Sequence, residues 1–147
     1  MPSFGTPASP GGRQGTATQL ERMPVQGLIL VVDDDDAVRV MLSRLLRTQG
    51  YTVLQASHAR EVRAILAEQR PDLVISDIVM PGESGIELRR HMARNWPEIP
   101  VILISGYSPE GPAEFAARNP NTIFVQKPFA ADDLLALVRD TLARRES

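Results

Sequence analysis

Leu28-Ile29-Leu30-Val31-Val32-Asp33-Asp34-Asp35-Asp36 sets a short apolar run directly against four carboxylates. The run has the length and β-branched content of a strand buried on both faces. Charge desolvated beside a core must be paired or bound to a cation, and hard divalent ions such as Mg²⁺ select carboxylate oxygens. The same acids also suit a helix start, where Asp accepts hydrogen bonds from unpaired backbone amides at the positive end of the helix dipole. A metal site and a helix cap are both open readings of the cluster.

Apolar runs of the same kind recur at residues 73–75, 101–104 and 123–125, with a weaker one at 51–55. Between them helical spacing appears in Val38, Met41, Leu42, Leu45 and Leu46, in Val62, Ile65 and Leu66, and in Leu134, Leu137, Val138 and Leu142. Gly50 stands where a left-handed helix stop is expected, and Ser84 is placed to cap a third helix running through Arg94. The segment between Pro109 and Pro120 has few apolar residues, which predicts a short, marginal fourth helix. Five strands alternating with five helices imply an α/β domain with a parallel sheet covered on both faces and joined by right-handed crossovers. Ligands bind such open sheets beyond the carboxyl ends of the strands, near the point where strand order reverses. That rule selects Asp33, Asp34, Asp77, Ser105, Gly106 and Lys127.

At 147 residues, 43% hydrophobic and 23% charged, the chain has the composition of one ordinary globular domain. It has no cysteine, and its two histidines, His58 and His91, are far apart, which excludes disulfides, thiolate sites and a zinc cluster. A net charge of -2 argues against a broad nucleic-acid footprint. No apolar segment approaches the roughly 18–20 residues of a membrane span, and the amino terminus lacks the apolar centre of a secretion signal. The expectation is a cytoplasmic protein with no membrane contact. Residues 1–26 are rich in Pro, Gly, Ser, Thr and Gln and read as a disordered tail or linker, leaving 27–147 as the folded domain.

Three acids, a hydroxyl and a lysine gathered at strand ends suit phosphoryl transfer, in which catalysis is mostly positioning and charge neutralisation. A carboxylate left over from metal binding can act as nucleophile and carry the group as an acyl phosphate.

Val31-Val32-Asp33-Asp34, Asp77-Ile78-Val79-Met80-Pro81-Gly82, Ile104-Ser105-Gly106-Tyr107 and Gln126-Lys127-Pro128-Phe129 resemble, in order and spacing, the receiver domains of two-component response regulators. The resemblance spans about residues 27–145 and implies a flavodoxin-like doubly wound (βα)5 fold with sheet order 2-1-3-4-5. It implies that Asp77 is the phosphoacceptor and a metal ligand, taking phosphate from a phosphohistidine on a histidine kinase or a histidine phosphotransfer protein. By the same likeness Asp34 ligates Mg²⁺ directly, Asp33 acts through a metal-bound water, and Val79 offers its backbone carbonyl. Lys127 would pair with a phosphoryl oxygen or with Asp77, and Pro128 matches the residue after a cis Lys-Pro bond. Ser105 and Phe124 match the switch hydroxyl and switch aromatic, which alter the face made by the fourth helix, fifth strand and fifth helix. Asp35 and Asp36 match no ligand position, so capping is preferred for them. His58 and His91 read as surface helix residues.

The resemblance implies a signalling module rather than an enzyme, catalysing only its own phosphorylation and dephosphorylation. Because the last helix is expected to end near Arg145 and the sequence stops at Ser147, a receiver without an output domain is expected. It would act through a downstream protein partner or as a homodimer using the fourth helix, fifth strand and fifth helix, without direct DNA binding. A pseudo-receiver that binds without phosphorylation is one alternative. A haloacid-dehalogenase-like phosphatase is another, although Asp33, Asp35 and Val38 fit its first motif poorly. The Ser-Gly-Tyr run looks more like receivers of hybrid histidine kinases than like those of DNA-binding regulators. Val79 and Tyr107 form an apolar-aromatic pair expected to slow loss of the phosphoryl group by hindering in-line attack of water.

Overall fold

Each apolar run forms a strand, because β-branched side chains with helices on both sides bury best on a pleated surface. The computed structural model describes residues 27–106 and 121–146. Its strands are β1 (Leu28–Val32), β2 (Thr52–Ala56), β3 (Leu73–Asp77), β4 (Val101–Ser105) and β5 (Thr122–Gln126). The helices described are α1 (Asp36–Arg47), α2 (Ala59–Glu68), α3 (Gly85–Asn95) and α4 (Ala131–Glu146). The strands form one sheet in the order β2-β1-β3-β4-β5 with every pair parallel, as the resemblance implied. The marginal helix expected between Pro109 and Pro120, the tail over 1–26 and Tyr107 lie outside the described residues.

Alternation along the strands feeds two separate cores. Leu30 and Val32 of β1 pack with Val62 and Leu66 of α2 and Leu88 and Met92 of α3. Ile29 and Val31 point to the other side and meet Leu42 and Leu46 of α1 and Leu134, Val138 and Leu142 of α4. Each such fully buried aliphatic side chain contributes roughly 1.5–3 kcal/mol, and a one-residue slip of β1 would exchange the two sets.

Two sequence expectations are corrected. The second strand begins at Thr52 rather than residue 51, in register with Leu28, while Tyr51 packs into the α1/α4 core. Met41 belongs to the apolar stripe expected for α1 but is 55% exposed, because Leu42 and Leu46 already occupy the helix face that meets the sheet.

Local chemistry sets the loops that reach the carboxyl end of the sheet. Asp35 is the N-cap of α1 and accepts from the Ala37 and Val38 amides at 3.0 and 3.2 Å, an arrangement worth about 1 kcal/mol. Asp36 is the first helical residue and pairs with Arg39. Both acids therefore start the helix, Asp35 by capping it and Asp36 from its first turn, at the positive end of the dipole. A reciprocal capping box between Ser84 and Glu87 starts α3. Gly85 behind it is irreplaceable in this backbone, since a Cβ there would lie 2.4 Å from the Asp77 carbonyl oxygen. The β3–α3 loop can close tightly on the strand end only with glycine at that position.

Candidate functional site

From β1 the chain runs out to β2 and then crosses back to β3, so strand order reverses beside β1. The ends of β1 and β3 flank this crevice, and both end in acids. One carboxylate oxygen from each of Asp33, Asp34 and Asp77 falls within 4.8 Å of the other two. Hard oxygen donors at such spacing fit a small divalent cation, so the donor set is chemically suited to Mg²⁺.

Burial differs sharply within the trio. Asp33 is 3% exposed, Asp77 half-buried and Asp34 exposed. Burial pushes the Asp33 carboxyl above its usual range; the Asp35 amide, bonded to Asp33 Oδ1 at 2.9 Å, and Lys127 oppose this, while Asp77 and Asp34 add to it. Asp77 is likewise raised by burial, against the pull of Lys127 and of hydrogen bonds from the Val79 and Ile78 amides, with Asp34 raising it further. Like charges held this close resist ionising together. A cation placed among them removes both the desolvation and the repulsion.

The other selected residues arrive from the neighbouring strands. Ser105 ends β4, 2% exposed, and its carbonyl accepts from the Lys127 amide at 2.7 Å. Lys127 follows β5, half-buried, with a cis bond to Pro128. Phe124 lies in β5, partly buried against the core on the α2/α3 side. The Val79 side chain is 71% exposed, so its contribution to the acids is through the backbone. His58 is the N-cap of α2, its Nδ1 accepting from the Glu61 amide at 3.4 Å, and His91 rests edge-on against Trp96. Neither histidine joins the acid cluster. A cleft of about 700 Å³ opens beside the cluster between Asp34, residues 57–60, Arg63 and residues 81–83. Glu83 is ion-paired to Arg63 there.

Sequence reasoning missed two residues near the site. Arg39, half-buried behind Asp33, bonds to its carbonyl oxygen at 2.9 Å. The available signal was a basic residue three positions after Asp36 on a helix. Gly85 had no signal beyond being a glycine, because its requirement comes from the approach of the Asp77 carbonyl.

Residues 29–139 match the family model of the response regulator receiver domain. The chain is 35% identical over 118 residues to the DNA-binding transcriptional regulator NtrC of Salmonella typhimurium, covering 80% of this chain and 25% of NtrC. It is 34% identical over 120 residues to the sensor kinase CckA of Brucella abortus, covering 80% of this chain and 13% of that protein. Among solved structures it is similar to a CheY-like response regulator receiver domain protein from Methanospirillum hungatei, with a TM-score of 0.77, 28% identity and coverage of 81% of this chain and 95% of the other.

These likenesses correct the expected partners. NtrC is by name a DNA-binding regulator, so the expectation of no direct DNA binding falls. The net charge on which it rested describes only these 147 residues, and the chain spans a quarter of NtrC. The same coverage removes the expectation of a receiver without an output domain. Identity to the sensor kinase CckA and to the regulator NtrC is nearly equal, at 34% and 35%, so receivers of both kinds stand among the relatives. Among the described residues no helix is long and apolar enough to cross a membrane.

Proposed function

The chain belongs to the response regulator receiver domain family, a family of signalling modules rather than turnover enzymes, and from that membership we propose that Asp77 is its phosphoacceptor. The observation that carries this reading is the convergence of Asp33, Asp34 and Asp77 at the strand-order reversal. Asp77 stands at the end of β3 with a carboxylate oxygen within the acid cluster. Its oxygen attacks the phosphorus of a phosphohistidine, the P–N bond breaks as the P–O bond forms, and the imidazole departs with the electron pair.

Asp33, Asp34, Asp77 and the Val79 carbonyl would hold Mg²⁺, which when bound offsets charge on the phosphoryl oxygens and on the acids themselves. Lys127 supplies a fixed cation on the β5 side, and its pull on Asp33 and Asp77 is already felt in both carboxyl groups. Ser105 and Phe124 form the switch: the hydroxyl turns toward the phosphoryl group and the aromatic ring follows it inward. Phosphorylation thereby shifts a population between two surfaces. Loss of the group by hydrolysis at Asp77 belongs to the same reading, as do a cytoplasmic location and residues 27–147 as the receiver unit. The pseudo-receiver and phosphatase alternatives are not favoured, since each chemical position is filled and the family is shown.

The test is incubation with acetyl phosphate and Mg²⁺ followed by intact-mass measurement. One phosphoryl group per chain is expected on the wild type and none on Asp77→Asn. Equal labelling of the two would refute the assignment, steady turnover of a phosphomonoester would favour the phosphatase, and no uptake by either would favour the pseudo-receiver.

A further inference from the structure

The guanidinium of Arg39 meets three acceptors in three different parts of the fold. Its Nη1 donates to the Asp33 carbonyl at 2.9 Å, Nε to Gln55 Oε1 at 3.1 Å and Nη2 to Asp36 Oδ1 at 2.7 Å. The side chain is only 15% exposed, whereas that of Asp36 is 83% exposed. Gln55 lies in β2 and Asp36 in the first turn of α1, so one planar group ties the β1–α1 turn to a neighbouring strand and to its own helix.

The Asp33 carbonyl oxygen belongs to the peptide that joins Asp33 to Asp34. A peptide unit is planar, so fixing its oxygen fixes the orientation of the link between these two acids. The Asp35 amide restrains the Asp33 carboxylate itself, at 2.9 Å. Arg39 restrains the backbone from which both carboxylates project. Arginine suits this because its donors form a rigid fork, while a lysine ammonium is a point charge on a flexible stem.

We propose that Arg39 is a positioning residue that sets the relative aim of Asp33 and Asp34 for a divalent cation. The proposal rests on the reading of the acid cluster as a Mg²⁺ site. Its electrostatic effect alone has the opposite sign: a fixed cation nearby repels Mg²⁺, so removing it without loss of geometry would tighten binding. Lysine retains the charge and loses the fork, which separates the two effects.

Mg²⁺ binding to the full chain is measured by calorimetry for wild type, Arg39→Lys, Arg39→Ala and Gln55→Ala, with the melting temperature of each followed by circular dichroism. Arg39→Lys is expected to weaken Mg²⁺ binding about tenfold, the size usual for residues that orient metal ligands. Arg39→Ala is expected to weaken it at least as much, despite relief of repulsion. Gln55→Ala, which keeps the guanidinium and removes one acceptor, is expected to weaken it about threefold. Unchanged affinity in Arg39→Lys, or tighter binding in Arg39→Ala, would overturn the proposal. If either arginine variant is unfolded at the assay temperature, Gln55→Ala decides, and unchanged affinity there overturns it. A folded wild type that binds no Mg²⁺ would instead overturn the metal reading itself.

Discussion

At the amino ends of the strands Asp72 and Arg89 are held by the fold's own polar groups, whereas at the carboxyl ends Asp33, Asp34 and Asp77 are crowded against one another. Asp72 Oδ2 accepts from the Leu28 amide at 2.8 Å, joining the start of β1 to the turn before β3. Arg89, 2% exposed, donates to Thr122 Oγ1 at 2.8 Å and to the Ile99 carbonyl at 3.1 Å, fastening α3 to the approaches of β4 and β5. Burial lowers the Arg89 pKa, yet a guanidinium stays charged in a protein. Both ends bury charge. One end answers it with neutral dipoles in fixed positions, which is structural; the other sets like charges together, which only a cation or a proton can relieve.

The strongest way to break this contrast is Arg89→Ala, which leaves the Ile99 carbonyl and Thr122 hydroxyl without their donor and opens a void. A loss of about 3 kcal/mol in urea unfolding is expected, with Mg²⁺ affinity of the folded protein unchanged. A fall in affinity without a fall in stability would show that the amino end also serves the site. Lys127→Ala should do the reverse, slowing phosphorylation by acetyl phosphate about 100-fold while leaving the unfolding midpoint nearly in place.

Third in size is a pH effect at the acid cluster. Burial raises the Asp33 pKa above 3.8, so in the metal-free protein its contribution to stability is complete below that value and is lost as pH rises through the folded-state pKa. Asp33→Asn should therefore raise the melting temperature by about 3–5 °C at pH 7 in a chelator, with the gain disappearing below about pH 4. A gain that persists in acid would point to packing instead of charge. The smallest effect is expected for Asp72→Asn, which keeps an oxygen for the Leu28 amide. A change near about 0.5 kcal/mol in urea unfolding would fit the neutral-dipole account of that end.

The hydrophobic runs make the five strands legible, and the strand-end rule selects Asp33, Asp34, Asp77, Ser105 and Lys127 from sequence alone. Residue type and period suffice there because burying a β-branched run and terminating it with polar residues are local choices. Tyr51 is apolar enough to extend the second run by one residue, but its side chain fills the α1/α4 core instead. Helical spacing alone puts Met41 on the core face, because spacing does not say how wide the contact with the sheet will be.

Residue type and period alone specify an alternating α/β chain, the acids at its strand ends and the resemblance that orders them. The division of the four aspartates depends on the folded chain: Asp33 is buried in the cluster, Asp34 at its open edge, Asp35 caps α1 and Asp36 pairs with Arg39. The fold also decides that Arg39 holds the peptide between the first two and that Gly85 alone fits beside the Asp77 carbonyl. Adjacency along the chain sets the charge of a segment, while desolvation, hydrogen-bond partners and close backbone approach depend on segments brought together from far apart.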